Sequence, residues 1–206
     1  NSSAIISNCQ FFNNNADIYG GAIENTSTST LDTINCTFQA NSAASGGGIE
    51  NQSDSILSAF NCLFDKNSAE SGGAISNNNR SVLTLWHCTI SNNDSTSGSG
   101  GIENLFDSTT SISNSILWGN TPSSFNTQDA PDPTVVRSNI ENGYGQSWMG
   151  TGCIDTDPLF VSSDTVNPDY RLTSSSPCID AGTNGTADPM PDIDLVGNPQ
   201  IGRAHV

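Results

Sequence analysis

The chain has 206 residues, 33% hydrophobic and 13% charged, with 21 acidic side chains against five Lys and Arg, for a formal net charge of −16. That field repels a phosphate backbone and argues against a nucleic-acid partner; polyanionic sugars are repelled in the same way. No apolar run approaches the roughly 20 residues that a membrane span requires.

Taken in chain order, the first element is NCQFFNNNADIYGGAIEN (8–25), and it returns three times. The copies are NCTFQANSAASGGGIEN (35–51), NCLFDKNSAESGGAISN (61–77) and HCTISNNDSTSGSGGIEN (87–104), with a degenerate fifth beginning NSILWGN (114–120). Cys9, Cys36, Cys62 and Cys88 are 27, 26 and 26 residues apart, and Ser115 takes the Cys place after another 27. Two residues after each comes Phe11, Phe38, Phe64, Ile90 or Leu117; five after comes Asn14, Asn41, Asn67, Asn93 or Asn120. Each copy closes on Ile23, Ile49, Ile75 or Ile102, two residues before Asn25, Asn51, Asn77 or Asn104. A chain this polar could remain disordered. Registered repetition rescues a fold.

Helices do not suit the unit, which lacks a 3.6-residue apolar stripe and carries Gly pairs and poor helix formers. Short strands do. In STLDTINCTF, Leu31 and Thr33 point one way, and beyond a bend at Asn35 so do Cys36 and Phe38. The pairs Leu57 and Ala59, then Leu83 and Leu85, repeat the pattern in the later copies. A third strand is Gly-Ala-Ile. Three short strands and three bends make one rung of a parallel β-helix, and each rung buries its face only against its neighbours. The expected fold is therefore all-β: a right-handed parallel β-helix of about five rungs of 26–27 residues over 1–120, right-handed by the usual sense of parallel crossovers. Its core is a set of columns: Cys9, Cys36, Cys62 and Cys88; Phe11, Phe38 and Phe64; Ile23, Ile49, Ile75 and Ile102. Asn8, Asn35, Asn61, His87 and Asn114 form a column at a bend, because Asn tolerates the left-handed region and its amide can bond along the axis.

After Asn120 the pattern stops. TPSSFNTQDAPDPTVV reads as a loop leaving the stack, and 121–206 as an irregular cap on its C-terminal end.

The repeats resemble the polymorphic outer-membrane-protein repeat of bacterial surface proteins, built on Phe-x-x-Asn followed by Gly-Gly-Ala-Ile. The tail resembles the "choice-of-anchor Q" segment of secreted bacterial β-helix proteins, through NSILWGN, SNIENGYG, DTDPLFV, DYRLTSSSPCIDAGT and DLVGNPQIG. The resemblance implies an extracellular or cell-surface protein: a non-enzymatic structural or adhesive module, a surface-fibre subunit or a piece of a larger adhesin. The alternative is a carbohydrate-active β-helix (polysaccharide lyase or glycoside hydrolase) or a carbohydrate-binding module. The open first rung, presenting Ile5, Ile6 and Phe11, is expected to be covered by the remainder of a longer surface protein or by another copy of the chain.

No catalytic residue is expected; the nearest candidates are Glu24 and Glu50, which share a rung position with Glu103. Two carboxyls about 5 Å apart would suit a retaining glycosidase, but a Glu repeated beside Ile reads as an exposed decoration copied with the repeat. Lyase chemistry on uronates needs positive charge that Lys66 and four scattered Arg do not supply. The stacked Cys are expected as free buried thiols. Cys153 and Cys178, in the loop-rich tail, are the candidate disulfide. No cofactor is expected except calcium, for which Asp188, Asp192 and Asp194 offer oxygen ligands. Sequons at Asn25, Asn35, Asn51, Asn93 and Asn184 are expected by chance in so Asn- and Ser-rich a chain.

Overall fold

A computed structural model describes residues 2–164 and 166–182. Among them every regular element is a strand, and no helix is long and apolar enough to cross a membrane. Rung 1 consists of β1 (Ser3–Ser7), β2 (Gln10–Phe12) and β3 (Ile23–Asn25). Rung 2 is β4 (Thr30–Ile34), β5 (Thr37–Gln39) and β6 (Ile49–Asn51). Rung 3 is β7 (Ile56–Phe60), β8 (Leu63–Asp65), the short β9 (Ser68–Ala69) and β10 (Ile75–Asn77). Rung 4 is β11 (Val82–Trp86), β12 (Thr89–Ser91), β13 (Asp94–Ser95) and β14 (Ile102–Leu105). Rung 5 is β15 (Thr109–Ser113), β16 (Ile116–Trp118) and β17 (Phe125–Gln128). A partial sixth holds β18 (Thr134–Val136) and β19 (Asn139–Ile140).

Equivalent strands pair in parallel into three sheets: β1-β4-β7-β11-β15-β18, β2-β5-β8-β12-β16-β19 and β3-β6-β10-β14-β17. The register is the one the spacing predicts. Leu31 pairs with Leu57 and Leu57 with Leu83; Phe11 with Phe38 and Phe38 with Phe64; Ile49 with Ile23 and Ile75. The rings of Phe11, Phe38 and Phe64 stack face to face at 4.8 and 4.7 Å. In the interior rungs these columns are fully buried, so the core runs along the axis as stacked side chains.

The corners explain the polarity of the repeat. Asn8, Asn35, Asn61, His87 and Asn114 all sit in the left-handed region, with φ between 49° and 54°. Asn carries that conformation more cheaply than most residues. Its amide also bonds along the axis: Asn61 donates to Asn35 at 2.7 Å and Asn35 to Asn8 at 3.3 Å. Two further amide ladders stand inside the stack. Asn14, Asn41, Asn67, Asn93 and Asn120 are linked Nδ2 to Oδ1 at 2.9 Å per step. Asn25, Asn51, Asn77 and Asn104 are linked at 2.7–2.8 Å. Asn25, Asn51 and Asn93 are buried members of these ladders, so the sequons there hold amides already engaged, as does the one at Asn35.

The stack does not stop at Asn120. Residues expected to leave as a loop instead supply β17, β18 and β19, each paired to the rung before. The Cys column continues as well, because Ser115 and Ser138 donate to the carbonyls of Ser113 and Val136, two residues back, at 2.8 and 2.9 Å. The thiols of Cys36, Cys62 and Cys88 make the same bond at 3.3 Å.

The tail covers the stack in two ways. Met149 and Ile154 bridge to Val135 and Asn139 at the last rung, and Trp148 packs on Phe125 at 5.6 Å. Beyond them the chain turns back along the flank instead of remaining on the end. There the antiparallel hairpin β20 (Phe160–Ser162) and β21 (Asp169–Leu172) reaches rung 3. Tyr170 donates to Asp65 Oδ1 at 2.5 Å and accepts from Asn92 at 2.8 Å. Burial first, and then the bond to Asp65, push the Tyr170 phenol above its usual range. Asp65 is wholly buried and also accepts from Gln39 at 2.6 Å. Tyr170→Phe should therefore undock the hairpin, at a cost of about 1–3 kcal/mol. Limited proteolysis within 160–172 should speed up while amide exchange in rungs 1 and 2 stays unchanged. Equal cleavage rates in variant and wild type would show that the contact does not hold the strap.

Candidate functional site

The third sheet and the loops leading into it carry most of the chemistry-bearing side chains. Each loop ends in a Gly that packs backbone on backbone. A Cβ on Gly73 would run into the carbonyl oxygens of Asp94 and Gly100, and one on Gly47 into those of Gly73 and Ser68. The loops therefore lie one on the next at strand spacing. After the Gly, period-two alternation turns Ile inward, the next residue outward and Asn inward again.

The outward residue is Glu24, Glu50, Ser76, Glu103 and Asn126 on successive rungs, in direct register. Glu24 is exposed. Glu50 and Glu103 are not: they are 0% and 3% accessible, which overturns the expectation of an exposed decoration. The reason is local. Loop 42–47 folds over Glu50, whose Oε2 accepts from the Ser45 hydroxyl at 2.7 Å while Oε1 accepts from Asn78 of the next rung at 3.0 Å. Glu103 accepts from the Ser99 backbone N–H at 2.5 Å and from Asn126 at 2.6 Å. Glu24 accepts from Gln52 at 2.8 Å. Burial pushes the Glu50 carboxyl above the usual carboxylate range; the donors Ser45, Ser76 and Asn78 pull it back in part, and the neighbouring Glu24 adds to the rise.

Glu24 and Glu50 are thus brought together as the sequence suggested, and burial pushes Glu50 toward its neutral form. An acid and a nucleophile must both touch substrate, however, and Glu50 is sealed. As folded, Glu50 ties its loop to its strand, and Glu24 bonds across to Gln52 of the next rung.

Beside this row an open groove of ≈ 420 Å³ runs along the stacked loops, lined among others by Asn15, Asp17, Ser42, Ala43, Glu70 and Asp94. Of its carboxylates, Asp17 and Glu70 stand two rungs apart with Ala44 between them, and Asp94 belongs to the neighbouring column of Asn15, Ser42 and Ser68. On the outer face of the first sheet, Phe60 and Trp86 stack on each other at 4.7 Å.

All six cysteines are free. Burial pushes the Cys62 thiol up to about 12; Cys36 also rises, chiefly through its contact with Cys62. These are inert thiols. Cys153 and Cys178 do not form the expected bridge: buried Cys178 accepts from Asn139 at 3.1 Å, and Cys153 packs on the end of the core. Lys66 and Arg80 do not meet; Lys66 lies 3.5 Å from Asp65, and Arg80 makes a two-pronged contact with Asp54 at 2.8–2.9 Å. The calcium candidates Asp188, Asp192 and Asp194 lie outside the described residues, and among those described no group of three or more His, Cys, Asp or Glu is placed to hold a metal.

Sequence reasoning missed Asp65 and Tyr170. Asp65 stands in a column that reads Phe12, Gln39, Asp65, Ser91, Trp118, so no repetition marks it.

Comparison with known proteins gives one finding. The family described as "Right handed beta helix region" matches residues 22–167, across the expected boundary at Asn120. No curated protein and no solved structure matches the chain.

Proposed function

This chain belongs to the right-handed β-helix family, and we propose that within it the protein is a non-enzymatic extracellular module with a structural or adhesive role. The fold itself hosts both structural and carbohydrate-active proteins, so the argument rests on the side chains. The observation that carries it is the sealing of Glu50: the repeated acid best placed for catalysis is spent on fastening a loop. The amide ladders and the Phe stack support the same reading, since they fix the rungs against one another and make the stack a stiff spacer. β1, β2 and β3 stand at the edges of their sheets, and another rung of this repeat, from the same protein or a second copy, is the partner that fits them.

Incubation with a panel of neutral and acidic polysaccharides should release neither reducing ends nor unsaturated uronates. Release that disappears in Glu24→Gln or Glu50→Gln would overturn the reading. The polar groove beside Glu70 and Asp94 favours one second reading, a carbohydrate-binding surface, and retention on one of these polysaccharides without cleavage would support it.

A further inference from the structure

Glu50 is a buried carboxyl surrounded by neutral donors and other acids. Glu24 lies in register on β3, Asp17 and Glu70 belong to the loops stacked below and above, and Glu103 stands two rungs up beyond Ser76. The described cations are placed elsewhere: Lys66 beside Asp65, Arg80 on Asp54, Arg171 on Asp169, and Arg137 at the corner between β18 and β19. A buried charge in such a place is costly, whereas a neutral acid is not. Burial favours the acid, and the hydroxyls beside it can serve either form. Ser45 Oγ stands 2.7 Å from Glu50 Oε2 and 3.1 Å from Ser76 Oγ. With the carboxyl ionised, Ser45 donates its one hydrogen to Oε2; with it neutral, the Oε2 hydroxyl donates a hydrogen bond to Ser45 while Ser45 donates to Ser76. Asn78 donates to the other oxygen.

We propose that Glu50 is a proton-dependent latch: as the neutral acid it holds loop 42–47 against its strand, and on losing the proton it lets that loop go. The loop contributes Ser42, Ala43 and Ala44 to the groove, so the latch sets the shape of the groove's second step. Because the folded state raises the Glu50 carboxyl above its ordinary value, the closed form is favoured below that ordinary value. The advantage is lost as pH rises through the raised one. Rung 3 carries an internal control, since Ser76 replaces Glu there and loop 68–73 has no latch of its own.

Amide hydrogen exchange on the full chain tests this, with rates corrected for the intrinsic effect of pH. The amides to follow are Ser45, Gly46 and Gly47, which donate to Ile18, Ser71 and Gly72 at 2.8, 3.0 and 3.1 Å. Their protection should fall about tenfold between pH 4 and pH 8, while Gly73 and Ala74, which donate to Ser99 and Gly100 of the rung beyond, hold steady. In Glu50→Gln the protection should stay high throughout. Constant protection in the wild type, an equal fall in both loops, or a fall that persists in Glu50→Gln would overturn the latch. Should the variant fail to fold, carbon-13 titration of the Glu50 carboxyl in the wild type decides. A midpoint well above an ordinary carboxylate supports the proposal, and an ordinary midpoint removes it.

Discussion

Asn67→Ala is expected to destabilise the stack by about 3–5 kcal/mol, more than any loss of one polar side chain at the surface. Asn67 Oδ1 accepts from both the backbone and the side chain of Asn41, at 3.0 and 2.9 Å. Its Nδ2 donates to Asn93 Oδ1 and to the Phe38 carbonyl, each at 2.9 Å. Alanine removes all four bonds at a site with no solvent access. Groups on Asn41 and Phe38 then lose partners where water cannot replace them, and a broken amide chain also loses the mutual polarisation of its links. Asn14→Ala, at the exposed end of the same ladder, is the control and should cost about 1 kcal/mol or less. Urea midpoints of the two variants and the wild type measure the contrast. Equal losses at Asn14 and Asn67 would mean that the ladder's burial, and hence its continuity, contributes nothing.

Gly73→Ala should be nearly as damaging, at about 3 kcal/mol. The residue has an ordinary backbone conformation, so the effect is steric. Its missing Cβ is the space into which the Asp94 and Gly100 carbonyls project from the next loop. A methyl group there must push rungs 3 and 4 apart, against the bonds from Gly73 N to Ser99 and from Ala74 N to Gly100, at 3.0 and 2.9 Å. The comparison is Ala74→Gly, one residue on, which removes a buried methyl without forcing anything apart and should cost about 1 kcal/mol. Thermal melts of both distinguish crowding from loss of packing. If Gly73→Ala melts no lower than Ala74→Gly, close approach of the loops is not what selects glycine.

The columns were legible because one residue type recurs at one place: Phe11, Phe38 and Phe64 announce their stack by spacing alone. Left-handed corners could be read at Asn8, Asn35 and Asn61 for the same reason. Ser138 was not legible, since it follows Ser115 by 23 residues after a run of 26 and 27. The arm from Asn120 to Phe125 is shorter than the one from Asn93 to Ile102, so the register broke although the geometry continued. The burial of Glu50 depends on Asn78 in the next rung and on how loop 42–47 lies. Neither follows from the triplet Ile-Glu-Asn, which reads alike at Glu24 and Glu50 and yields one exposed and one sealed carboxyl. The strap was hidden for a third reason: Tyr170 and Asp65 are 105 residues apart and neither belongs to a repeated column.

Inward columns of like residues, repeated from rung to rung, make reach a counted quantity. One more copy of the unit adds one strand spacing, about 4.8 Å, and leaves the cross-section as it was. A lineage can therefore lengthen or shorten such a protein by duplicating or deleting one 26-residue tract, with no compensating change in the copies that remain. Distance becomes a heritable integer, written in the number of copies and adjusted without inventing a new contact.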